Sequence, residues 1–86
     1  MMVNVIFFAR LRELMGLDKL SLELEEDKTY SVQMVMDIIC KQNVEFANYV
    51  KNENKLMIAV NQNITKSETT IKAGDELAFF PPVTGG

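Results

Sequence analysis

No histidine occurs among the 86 residues. Its absence removes Ser-His-Asp and Cys-His nucleophile pairs, the commonest general base and the commonest zinc ligand. With Cys40 as the one cysteine, no internal disulfide can form and a structural zinc site cannot be assembled, which fits a reducing compartment. Glycine is scarce as well: Gly16, Gly74 and the final pair, Gly85 and Gly86, make no phosphate-cradling loop. The net charge is −3 and no basic stripe is present, which argues against nucleic acid and suits a basic groove on a partner protein. The apolar run Val5 to Ala9, which no other exceeds, falls far short of the ~20 residues of a membrane helix. The N-terminus lacks the charged-then-apolar layout of a signal peptide, so the chain reads as cytoplasmic. A domain with this inventory is not equipped to do chemistry alone.

What is present suffices for one domain with a single modest core, and apolar and charged shares of 48% and 24% are those of a globular protein. Val3 to Ala9, β-branched and aromatic with only Asn4 polar, predicts a central strand covered on both faces. Arg10 to Met15 reads as a short helical turn or tight loop closed by Gly16. Leu20, Leu22 and Leu24 alternate with polar residues as in a half-buried strand, which pairs with the first through that connection. After a turn over Asp27 to Tyr30, Ser31 is placed to cap a helix. On that helix Val32, Val35, Met36, Ile39 and Cys40 form one apolar stripe, which makes Cys40 a core residue and Met34 and Met36 packing residues. Phe46, Ala47 and Val50 suit either a short second helix or a covered loop, followed by a polar turn over Lys51 to Asn54. Leu56 to Val60 is a strand, Asn61 to Asn63 a tight turn, and Ile64 begins a polar stretch with room for a short edge strand. A turn around Gly74 leads to the last strand, Glu76 to Phe80. Layer logic makes this an α+β domain over residues 1–80.

The tail, residues 81–86, is unlike the rest. Pro81 and Pro82 have no N–H for a sheet ladder and favour an extended polyproline form that leads Val83, Thr84, Gly85 and Gly86 away from the body. Four extended residues reach at most ~13–14 Å. Two residues without Cβ can pass a narrow channel and bring the Gly86 carboxylate against a phosphate or thiolate. A carboxylate is a poor electrophile, so reaction there requires activation, most simply as an acyl-adenylate made by a separate ATP-using enzyme. The plain alternative is a frayed terminus.

Val5 to Ala9 followed by Leu11-Arg12-Glu13-Leu14, then Ala59-Val60-Asn61-Gln62, Gly74-Asp75-Glu76 and Phe79 to Gly86, resemble in order and spacing the small subunits of molybdopterin synthase, a family of sulfur carriers. The resemblance spans nearly the whole chain. It implies a ubiquitin-like β-grasp fold: a mixed sheet with the first and last strands as parallel central neighbours, one main helix across it, and an extended C-terminal tail. It also implies a cycle in which an ATP-dependent adenylating enzyme and a sulfur donor convert Gly86 to a thiocarboxylate. The tail then enters the large synthase subunit, in a heterotetramer, and passes its sulfur to cyclic pyranopterin monophosphate. Gly86 carries the sulfur, Gly85 provides clearance, and no cofactor is bound by the carrier itself. Phe8, Ile64 and Phe80 match positions that meet the partner, although Phe8 and Phe80 each sit in a strand whose other face also needs covering and so have an alternative reading as core. Pro81, Pro82, Val83 and Thr84 lead the tail in, and Arg12 and Lys55 match charged positions that in isolation are merely solvated. Three other readings compete: a carrier for a thiamine-type pathway, a ubiquitin-like modifier of lysines, and a β-grasp binding module with an inert tail.

Overall fold

A computed structural model describes residues 1–53 and 56–81 of the chain. Strand β1 (Met2–Phe7) runs into helix α1 (Ala9–Met15), and β2 (Lys19–Glu23) returns antiparallel to β1. Strand β3 (Tyr30–Ser31) leads into α2 (Val32–Gln42) and α3 (Val44–Glu53). Four strands follow: β4 (Met57–Val60), β5 (Asn63–Ile64), β6 (Thr70–Ile71) and β7 (Glu76–Phe80). The main sheet has the order β2-β1-β7-β4-β5, with β1 and β7 parallel and the other pairs antiparallel; β3 and β6 form a separate two-stranded ladder.

Local chemistry explains where the elements stop. Gly16 ends α1 in the left-handed conformation at φ 74°, its N–H donating to the Arg12 carbonyl. The Ser31 hydroxyl accepts from the Met34 N–H at 3.2 Å and caps α2. Asn43 ends α2 through its own N–H to the Ile39 carbonyl, and its side chain accepts from the N–H groups of Glu45 and Phe46 to start α3. One residue thus satisfies orphan groups of two helices. Asn61 and Gln62, at φ 50° and 71°, are the two left-handed residues of the β4–β5 hairpin, the pattern of a type I′ turn.

All three helices contribute to one core on a single face of the sheet. Val3, Val5 and Phe7 of β1 and Leu77 and Phe79 of β7 meet Leu11, Val32, Val35, Ile39 and Phe46 there. At its centre Phe7, Phe46 and Phe79 form a triangle of rings with centroids 5.4, 5.8 and 6.3 Å apart, an arrangement of offset and edge contacts favoured by aromatic quadrupoles.

Several sequence expectations change here. The first strand is covered on one face only, because Met2 and Asn4 are exposed and Ile6 is half-buried. It also stops at Phe7, since Ala9 already belongs to α1. The helical reading of Phe46 to Val50 holds, but α3 continues through Glu53 where a polar turn was expected. Lys51 to Glu53 extend the helix because Phe46 and Tyr49, both buried, anchor it. The helices have 7, 11 and 10 residues, so α3 nearly equals the expected main helix α2. Met34 is 42% exposed, off the buried stripe to which Met36 belongs. Cys40 is half-buried at the margin of the core.

Candidate functional site

Side chains alternate along a strand, so register assigns every residue of the sheet to a face. Phe7 lies opposite Phe79 in the parallel β1–β7 ladder and both point into the core. The next residues, Phe8 and Phe80, therefore point to the helix-free side. Their rings meet edge to face with centroids 6.2 Å apart. Phe8 is 46% exposed and Phe80 half-buried, which settles the choice left open for each: neither is a core residue.

Together with Ala9 and Pro81 these two rings line an open apolar cleft of about 420 Å³. It lies where β7 ends and the tail begins. Register extends the apolar surface across the sheet, since Met57 lies opposite Phe80, and Ile6, Ala78, Ala59 and Ile64 form the adjacent row. Ala59 and Ala78 are buried between larger neighbours, whereas Ile64, at the sheet edge, is 62% exposed. Lys19 stands beside Ile6 at the other end of that row. Phe8, Phe80 and Pro81 are thus gathered around one cleft and Ile64 lies on the same face, while Arg12 is exposed on α1. Lys55, Pro82, Val83, Thr84, Gly85 and Gly86 lie outside the described residues.

Two members of this surface escaped the sequence reading. Met57 carried a usable signal, the two-residue spacing to Ala59 on the outward face. Ala9 had none, because its φ of 52° is a tertiary outcome at a residue type that seldom adopts it.

Away from this face the chemistry is quiet. Burial, reinforced by the charge of Asp37, pushes the Cys40 thiol above its ordinary range, which keeps it protonated and a weak nucleophile. Among the described residues no group of three or more acidic or thiol side chains is arranged to hold a metal ion, and no helix is long and apolar enough to cross a membrane.

A mixed sheet with parallel first and last strands at its middle and helices packed on one face defines a ubiquitin-like β-grasp domain. The chain belongs to the ThiS family, whose sequence pattern matches residues 5–86. It is 41% identical over 85 residues to the molybdopterin synthase sulfur carrier subunit of Haemophilus influenzae, a match covering 99% of this chain and all of that one. Among solved structures, SAMP1 from Haloferax volcanii shares the fold with a TM-score of 0.84 at 24% identity, over the full length of both chains. The small archaeal modifier protein 1 of Methanosarcina acetivorans, solved in solution, aligns with a TM-score of 0.76 at 29% identity over 99% of this chain and 96% of that one.

Proposed function

We propose that this chain is the sulfur-carrier subunit of a molybdopterin synthase. The carrying observation is the full-length identity of 41% to a protein of that name, together with a family match that runs to Gly86. In this reading an adenylating enzyme joins the Gly86 carboxylate to AMP, releasing pyrophosphate from ATP. A sulfur donor then displaces AMP and leaves a thiocarboxylate, anionic at neutral pH and soft at sulfur. The large synthase subunit receives the tail, from Pro81 through Pro82, Val83 and Thr84 to Gly85 and Gly86. Transfer of the sulfur to cyclic pyranopterin monophosphate and hydrolysis of the remaining acyl group return the carboxylate. The catalytic side chains belong to the partners, and the complex is a cytoplasmic heterotetramer of small and large subunits.

The open sheet face supports this reading because it provides what a carrier needs besides its tail. An apolar cleft at the root of the tail lets docking convert tail insertion into an intramolecular event of high effective concentration. Phe8, Phe80, Pro81 and Ile64 form the apolar part of the contact, and the family resemblance adds Arg12 and Lys55 as charged contacts.

Intact-mass measurement on protein from cells with an active cofactor pathway tests the chemistry. The expected species is heavier by about 16 Da, one oxygen replaced by sulfur. Deletion of Gly86 abolishes sulfur transfer while leaving the urea unfolding midpoint unchanged. The likeness to a small archaeal modifier protein favours a second reading, a modifier joined to lysines. That reading requires stable higher-mass conjugates in host lysate with ATP, whereas the carrier reading requires the free protein with its added sulfur.

A further inference from the structure

The joint between β1 and α1 departs from local rules at two consecutive residues. Phe8 occupies the N-cap of α1 and supplies no side-chain hydrogen bond to the first turn, where Ser, Thr, Asp or Asn is the favoured residue. Ala9 follows with φ 52°, a left-handed conformation that an L-residue with a Cβ resists. The backbone around them is nonetheless tied down. The Phe8 N–H donates to the Phe79 carbonyl at 3.1 Å, and the Phe8 carbonyl accepts from Leu11 at 3.1 Å and Arg12 at 3.4 Å. Both exceptions converge on one outcome, a Phe8 ring that stands 46% exposed and edge-on to Phe80, with Ala9 lining the same cleft.

From this convergence we infer that Ala9 is a positioning residue for partner docking, whose left-handed backbone holds the Phe8 ring at the cleft. Strain that persists at a site is held by its surroundings and belongs with pre-organisation. An Ala confined to the narrow left-handed well gives the strand-to-helix turn one geometry. Glycine would enter that well at lower cost but would also leave it, so the ring would be less constrained. The inference rests on the docking reading given above and adds a residue to it.

Two variants separate the claims. Association with the large synthase subunit is measured by titration, and the unfolding midpoint in urea is measured on the free chain. Ala9→Gly is expected to keep or raise the midpoint while weakening association at least five-fold. In the free protein, the Phe8 ring proton signals, displaced by the neighbouring Phe80 ring, should move toward averaged values. A purely structural role would move the midpoint alone, so association of Ala9→Gly equal to that of the unchanged chain overturns the inference. Phe8→Ala tests the underlying reading in the same assay. Loss of association in Phe8→Ala with none in Ala9→Gly defeats the positioning role only. Unchanged association in both defeats docking through this cleft and the inference with it.

Discussion

Phe79 is completely buried between the rings of Phe7 and Phe46, on the central strand of the sheet. Removing such a ring costs about 3–5 kcal/mol, against a total stability of about 5–15 kcal/mol for a small domain. Phe79→Ala is therefore expected to lose about a fifth or more of the unfolding free energy in urea, and Phe80→Ala, one residue on and half-buried, much less. Cys40 is informative through its proton. Its thiol is held above the ordinary cysteine range by burial first and by the charge of Asp37 second. Well below a pH of about 8.5, the ordinary value for a free cysteine, the thiol is protonated in both folded and unfolded chains and makes no contribution to pH dependence. Above it the unfolded chain ionises first, so stability falls as pH rises. The expected result is a drop in urea midpoint between pH 8 and pH 10 that is smaller in Cys40→Ser, checked by unfolding both chains at about those two pH values.

Among the elements, the β4–β5 hairpin joins the edge strand to the sheet through a turn whose two residues both have positive φ. Asn61 tolerates that conformation and is held by its side chain, which donates to Asp75 Oδ1 and accepts from the Glu76 N–H, both at 3.0 Å. Gln62 has no such compensation in its backbone preference. Gln62→Gly is expected to stabilise the domain by about 1 kcal/mol, seen as a higher urea midpoint with an unchanged slope. The helices show how far periodicity reaches. The stripe on α2 was legible because Val32, Val35, Met36 and Ile39 repeat at helical spacing with a capping Ser31 ahead of them. The extent of α3 was not, because Asn48, Lys51, Asn52 and Glu53 dilute its apolar signal and Tyr49 combines a polar tip with a buried ring. The β3–β6 ladder was also out of reach, since Tyr30 and Ile71 are joined only by long-range folding and each strand is two residues long.

Across the whole molecule the two faces of the sheet divide the work. One face carries the helices and the stability; the other carries an apolar row at the root of the tail. Mutations should divide in the same way. Ile64→Asp is expected to change the unfolding free energy by no more than about 0.5 kcal/mol, because the side chain is largely exposed. The same change should weaken association with the large synthase subunit ten-fold or more, about 1.4 kcal/mol, measured by titration. Chain order and local chemistry were enough for the strands of the main sheet, the capped helix and the turns at Gly16 and Gly74, since hydrogen-bonding capacity, Cβ sterics and side-chain period act between near neighbours. They left Phe8 and Phe80 suspended between core and surface, because both faces of an apolar strand look alike from within it. Pairing β1 with β7 in parallel register and placing every helix on the Phe7 side resolved that choice. The burial of a side chain depends on what lies across the sheet, and residues distant in the chain supply it.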